Sequence, residues 1–426
     1  MKEDLLHFIW KHKKFPLDRL RTIGGESLVI TSLGVHNHLS GPDFFNSKVV
    51  IDGLLWAGNV EVHINSSDWY AHRHEQDPAY DSVILHVVWD DDVEVHRRDR
   101  SVIPTLQLKD FVAPKLLENY KVLFDQSKSS FINCDAGIQT VSNFIMENWL
   151  ERLYFERLEQ KSVVIQQLLL DSQNNWEKVF FIMLLKNFGS TINGAIFYEL
   201  GVNLDFNIIR KLIGKPHEME ALLFGLAGLL KNEERVDMYY SKLQETFLFL
   251  TNKFDLDTSV LQTSQFFKLR PSNFPTIRLS QFAAIYAASN NLFQKCMAAS
   301  TEEHANFLDA TASEYWETHF NFGKISKKSK KSISQNLKNL IVINTIIPIK
   351  FCYLKTYGKE IDEAFFESIL NLKKEKNSIV ANYEHLGLVV KNARESQALL
   401  QLHNSYCTKN KCLDCVVGNK LLNLKS

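Results

Sequence analysis

Gly41-Pro42-Asp43 and Glu61-Val62-His63 lie on either side of Asp52-Gly53. An Asp-Gly pair favours a two-residue hairpin, because both central positions need positive φ. Residues 46–51 and 54–64 are therefore expected to pair antiparallel. Residues two apart on a strand face the same side, so Glu61 and His63 project together, and Asp43 at the start of the first strand comes within reach of Glu61. Two carboxylates converging from adjacent strands suit a hard cation such as Mg²⁺ or Mn²⁺. An ion held there activates water and stabilises charge growing on a phosphate. Asp43, Glu61 and His63 are thus the candidate catalytic residues, with Asp43 and Glu61 as metal ligands and His63 beside the attacking water. The simpler role for Asp43 is a turn residue bonded to nearby amides.

Asn37, His72, His74, Asp77 and His86 are candidates to support this site. His63, His72, His74 and Asp77 also offer a set of donors that suits a transition metal instead. His86, inside Val83-Ile-Leu-His-Val-Val, reads as a core histidine that supports the site if it faces the side of Glu61. Arg270 and Arg278 bracket Pro271, Asn273 and Pro275. They are candidate phosphate contacts, or the ends of a rigid turn between helices.

A second cluster is Cys407-x4-Cys412-x2-Cys415. A closed tetrahedral site needs a fourth ligand, and His403 and Cys134 are the candidates. With His403 the set suits Zn²⁺; with Cys134 it suits Zn²⁺ or an iron–sulfur cluster. Cys296 and Cys352 read as ordinary buried thiols.

The elements that must position these groups change period along the chain. Leu5, Phe8, Ile9 and Trp10 mark a short amphipathic helix ended near Pro16. Short apolar or alternating runs at 28–30, 48–51, 54–64 and 83–89 read as strands. Residues 66–80 are a loop with a short helix, and 93–108 is further extended sequence. From about Ser142 the period is helical. The lysine-rich segment 324–331 reads as a solvated linker. Leu340 to Phe351, broken by Asn344, Pro348 and Lys350, reads as buried core too short to span a bilayer.

The order helix, strand, acid-bearing hairpin, crossover and strand resembles the PD-(D/E)xK nuclease superfamily, through Pro42-Asp43 and Glu61-Val62-His63. His63 departs from it, standing where the superfamily has a lysine. The resemblance implies a restriction-endonuclease-like mixed sheet with flanking helices over 1–112, and with the helical period behind it the chain is expected to be α+β, mostly α-helical over 113–426 and ending in the cysteines. It also implies phosphodiester hydrolysis of DNA or RNA. Some nucleases of that superfamily carry one remote and three clustered cysteines on an iron–sulfur cluster, and Cys134 with Cys407, Cys412 and Cys415 resembles that plan. Most of the chain is also similar to an uncharacterised bacterial family, a domain of unknown function. That similarity rests on Gly34-Val-His-Asn37, Gly41-Pro-Asp-Phe44, Gly58-Asn-Val-Glu-Val-His63, Ser67-Asp-Trp69, Tyr80 with 83–87, and 270–278.

At 426 residues, more than one domain is expected. Hydrophobic residues at 45% and charged ones at 23% argue against disorder. Lys+Arg and Asp+Glu are both 49, so nucleic acid, the expected partner, must be held by a local patch. Acidic and basic residues mix from Lys2 to Arg21 with no apolar leader, and the sparse cysteines fit a reducing compartment. The expectation is a cytoplasmic protein without membrane segments. Three functions fit: a Mg²⁺- or Mn²⁺-dependent nuclease, a nuclease-like binding module that has lost cleavage, and a transition-metal hydrolase.

Overall fold

A computed structural model describes residues 2–125, 130–231, 237–258, 263–299 and 306–424. It is a mixed α+β structure, with a sheet near the N-terminus followed by mostly helical chain. Two compact units divide it. One is Met1–Met146 with His403–Ser426, and the other is Glu147–Leu402. The split therefore falls later than the expected 112/113 boundary, and the C-terminal tail belongs with the N-terminal sheet. Sequence period marks where helices begin, whereas a unit is bounded by which side chains share a core.

In the first unit, helix α1 (Glu3–Lys11) buries Leu5, Leu6, Phe8, Ile9 and Trp10. Glu3 and Asp4 in its first turn and Lys11 in its last suit the helix dipole. The sheet runs β1 (Leu20–Arg21), β2 (Ser27–Ser32), β4 (Phe44–Ile51), β5 (Leu54–Asn65), β6 (Val83–Asp90) and β7 (Thr105–Gln107), with β3 (Val35–His36) paired to β4. The β4–β5 turn is the expected Asp52-Gly53, with φ of 47° and 83°. The Asp52 carboxylate also accepts from the Ser27 amide at 2.7 Å, tying the turn to β2.

β4 and β5 are antiparallel, but β5, β6 and β7 are parallel, with Glu61 beside His86 and His86 beside Thr105. A parallel return needs a crossover. Helix α2 (Asp68–Ala71) and two short 3₁₀ turns provide it. β6 is buried from Val83 through Val88, as a strand covered on both faces requires. Gly58 allows the crossover to end against β5, since a Cβ there would lie 2.5 Å from the Ser82 carbonyl.

The second unit is helical, beginning in the long helix Asn143–Asp171. Trp176–Phe188 packs on Ser190–Asn203, where Gly201 lets the backbones close. Two local expectations change here. The stretch around Leu340–Phe351 is part of one helical run, Gln335–Thr356, long and apolar enough to cross a membrane, yet its most apolar window is 67% buried inside the protein. A π-turn at Val342–Ile346 precedes Pro348 and carries the helix past it. The lysine-rich segment is also not all solvated. Lys331 is buried, its Nζ bonded to the carbonyls of Glu317 and Ser329 and set 4.3 Å above the Phe320 ring.

Candidate metal centre on the parallel strands

β5 is buried from Val60 through His63. Its alternation puts Glu61 and His63 on one face, and the parallel register puts His86 there with them. Asp43 reaches the same place from the start of β4. Its amide donates to Glu61 Oε2 at 3.1 Å, and its carboxylate accepts from the Val62 amide at 3.0 Å. Asn37 does not reach Glu61. It shapes the 37–43 loop instead, donating through Nδ2 to the carbonyls of Leu39, Ser40 and Pro42 while its amide donates to the Asp43 carbonyl at 2.7 Å.

The crossover delivers the imidazoles. Trp69, fully buried, anchors α2 and donates to the His96 carbonyl at 3.1 Å. Asp92 takes the Ser66 and Ser67 hydroxyls at 2.9 and 2.8 Å. His72 ends α2, Arg73 reverses the chain at φ 61°, and His74 then turns back inward against Tyr80, 3.7 Å between ring centroids. His72 Nδ1 comes to 3.2 Å from His63 Nε2. His74 Nε2 lies 3.3 Å and His63 Nε2 3.5 Å from Glu61 Oε1. One nitrogen from each of His63, His72 and His74 lies within 4.8 Å of the other two, and this is the one such three-residue group of potential ligands among the described residues.

His86, fully buried, lies behind them, with Nε2 2.9 Å from His63 Nδ1. When His63 Nδ1–H donates to it, the bare Nε2 of His63 points toward His72 and Glu61, the tautomer a ligand needs. His7, from α1, was not foreseen. Its Nε2 lies 3.1 Å from Asp43 Oδ2. It interrupts the apolar run from Leu5 to Trp10 in α1, and that interruption is the signal that could have found it.

The charges agree with the geometry. Burial first, and then the Asp43 carboxylate, push Glu61 up to about 9. Burial and the neighbouring imidazoles press His63 down to about 2. Burial, with a smaller push from His74, lowers His86 to about 3. Burial acts to lower His7, but Asp43 overrides it and the net shift is upward. These shifts favour the protonated carboxyl at Glu61 and the neutral imidazole at His63 and His86. A cation at Glu61 would displace that proton and find nitrogen lone pairs around it.

Three sequence candidates stand elsewhere or differently. The Asp77 carboxylate accepts from the Ala79 amide at 2.9 Å and caps the second 3₁₀ turn, and the carboxylate beside the His63 and His74 nitrogens is that of Glu61. Arg278 is buried, donating to Asn273 Oδ1 at 2.5 Å and Gln281 Oε1 at 3.1 Å, while its Nε is buried without a partner. The turn it braces is held through amide oxygens. Arg270 is exposed before the turn Pro271–Asn273.

The fold and site together define an α+β protein with an imidazole-rich, carboxylate-bearing cluster on parallel strands. The chain belongs to the DUF2851 family, described as a protein of unknown function, whose model matches residues 3–378. No curated protein and no solved structure matches it. The cysteines at 407, 412 and 415 lie beyond the matched residues.

Proposed function

We propose that this protein is a metal-dependent hydrolase whose ion is a transition metal held by His63, His72, His74 and Glu61. The observation that carries this is the convergence of three imidazole nitrogens within 4.8 Å, with Glu61 Oε1 against two of them. Three nitrogens and one oxygen suit Zn²⁺, Mn²⁺, Fe²⁺ or Co²⁺ better than Mg²⁺, which prefers oxygen and keeps its waters. Asp43 is poorly placed to be half of a two-carboxylate magnesium site, because its Oδ2 already serves the Val62 amide and His7. The bound ion would supply a water of lowered pKa and a Lewis acid. Asp43, beside Glu61 and partnered by His7, orients the carboxylate and can take a proton. His72, at the exposed side, marks the entrance.

The substrate class we favour is a nucleic-acid phosphodiester. Its support is topological: a hairpin bearing Asp43 and Glu61, followed by a crossover to parallel strands, is the plan of the PD-(D/E)xK core that the motifs resemble. Metal-free protein titrated with Zn²⁺, Mn²⁺, Co²⁺ and Mg²⁺ should bind the first three more tightly than Mg²⁺, and should cut DNA or RNA with one of them. A preference for Mg²⁺, or cleavage unchanged in Glu61→Ala, defeats the proposal.

A second reading is a binding module that keeps the fold without cleavage. It is favoured by His63, which stands at the lysine position yet is held neutral by burial and cannot supply a fixed positive charge. Tight metal binding without cleavage of either nucleic acid would select it.

A further inference from the structure

A cavity of about 560 Å³ lies within the helical unit, walled by residues between 216 and 328 and sharing none with the histidine cluster of the sheet unit. That is the size of a small-molecule site. One wall is a stack of rings. Tyr315 lies between Tyr239, with centroids 4.2 Å apart at 9°, and His319, 4.0 Å apart at 6°. Asp237 fixes the stack: its carboxylate accepts from the Tyr315 hydroxyl and from the Gly323 amide at 2.9 Å while capping the helix Met238–Phe254. Rings held in this way need no ordering when a ligand arrives.

The polar groups of the wall have their hydrogens engaged. Tyr239 Oη lies 2.8 Å from Glu220 Oε2, Ser313 Oγ lies 3.2 Å from Glu220 Oε1, and the two hydroxyls are 2.9 Å apart. Both hydroxyl hydrogens serve those three contacts, so what remains for a ligand is lone pairs. His217 has the same character. Thr246 Oγ1 gives its hydrogen to the Lys242 carbonyl, so it accepts from His217 Nε2 at 3.1 Å, and His217 Nδ1 keeps its lone pair. Burial first, and then Lys242, lower the His217 pKa and keep the ring neutral.

Charge points the same way. Glu220 is 3% exposed, and its hydrogen-bond partners Trp316, Tyr239 and Ser313 are all neutral. Glu314 is exposed at the mouth, and Lys328, the one lysine among the described lining residues, has its Nζ 3.5 Å from Glu317. The positive end of the helix Pro216–Leu226, which an anion would seek, is met by its own Glu218.

We propose that this cavity binds an aliphatic di- or polyamine, with one ammonium among the oxygens of Glu220, Tyr239 and Ser313, a second at Glu314 in the mouth, and the methylene chain beside the tyrosine rings. An ammonium has three hydrogens and no lone pair, the complement of such a wall, and it gains from an aromatic face. A single ammonium would leave most of the volume empty, whereas one buried and one exposed carboxylate match charges at both ends of a chain.

The test is calorimetric titration of the full chain, as purified, with putrescine and spermidine at low ionic strength, beside 1,4-butanediol and succinate, which share the length of putrescine but are neutral and anionic. Both amines should bind one-to-one with a dissociation constant below about 1 mM, and neither control should bind. Glu220→Gln keeps an oxygen for Trp316 and Ser313 but removes the charge, and should weaken spermidine at least about ten-fold. Glu314→Gln with Glu317→Gln, at the mouth, should weaken it about five-fold and carries the test if Glu220→Gln does not fold. His72→Ala should leave the affinity unchanged, which separates the cavity from the metal centre. No saturable binding of either amine, equal binding of butanediol or succinate, an affinity untouched by the Glu220 and mouth variants, or its loss in His72→Ala overturns the proposal.

Discussion

Glu61 in the sheet unit and Glu220 in the helical unit are both buried, and they keep different company. Glu61 lies among imidazoles that can exchange a proton or a lone pair for a metal bond. Glu220, in the helical unit, is enclosed by neutral N–H and O–H donors: Trp316 Nε1 at 2.7 Å, Tyr239 Oη at 2.8 Å and Ser313 Oγ at 3.2 Å. Tyr239 and Tyr315 stack at 4.2 Å in front of it, and Tyr315 donates to Asp237. Glu220 is satisfied by neutral donors of the fold, whereas Glu61 faces imidazoles that could share a cation with it. Burial of a carboxylate does not reveal a site; the chemistry of its partners does.

The contrast breaks most easily at Glu61. Glu61→Ala should weaken Zn²⁺ or Mn²⁺ binding about 1000-fold, equivalent to ~4 kcal/mol, by competition titration. Glu220→Ala should leave that affinity unchanged but cost the fold ~3 kcal/mol, because it strands buried donors, and denaturant melts will show it. If Glu220→Ala abolished metal binding, the two carboxylates would not be separate in role.

His86→Phe keeps the ring volume and removes the nitrogen behind His63. Metal affinity should fall by roughly 10- to 100-fold with the fold intact. An unchanged affinity would reduce His86 to core packing.

Stability without metal should depend on pH in two directions. Glu61, raised to about 9, contributes stability that is complete below its ordinary 4.5 and is lost as pH rises toward 9. His63 and His86, lowered to about 2 and 3, contribute stability that is complete above their ordinary 6.5 and is lost as pH falls. Metal-free protein should therefore be most stable near pH 6.5, losing at most about 1.4 kcal/mol per pH unit above it through Glu61. Saturating metal keeps Glu61 ionised and should remove that alkaline decline. Melts from pH 6.5 to 8.5, with and without chelator, compare the two slopes.

The smallest effect is expected at Asp77. Asp77→Ala removes a cap and should cost about 1 kcal/mol with metal affinity unchanged. A tenfold loss of affinity there would restore Asp77 as a ligand in place of Glu61.

Some of this was legible in the residues alone. Asp52-Gly53 accepts left-handed φ at both positions, so the hairpin follows from local sterics, and the two-residue period of a strand puts Glu61 beside His63 without knowledge of the rest of the fold. The helical period after Ser142 is equally local. The family was legible as well, since its motifs are contiguous.

Other features depended on distance in space. His7 reaches Asp43 from a helix whose position is set by burying Leu5, Leu6, Ile9 and Trp10, and no spacing rule links the two residues. His72 and His74 converge on His63 because Trp69 anchors the crossover and Arg73 reverses it. Lys331 read as part of a solvated linker and Arg278 as a candidate phosphate contact or the end of a rigid turn, and packing buried both against neutral oxygens. The tail rejoined the sheet unit across the whole helical unit. Backbone sterics and periodicity act over a few residues, so the strand, the hairpin and the facing of Glu61 could be read in one dimension. Which imidazoles surround that carboxylate is decided by collective burial of elements far apart in the chain, and only the folded structure holds that information.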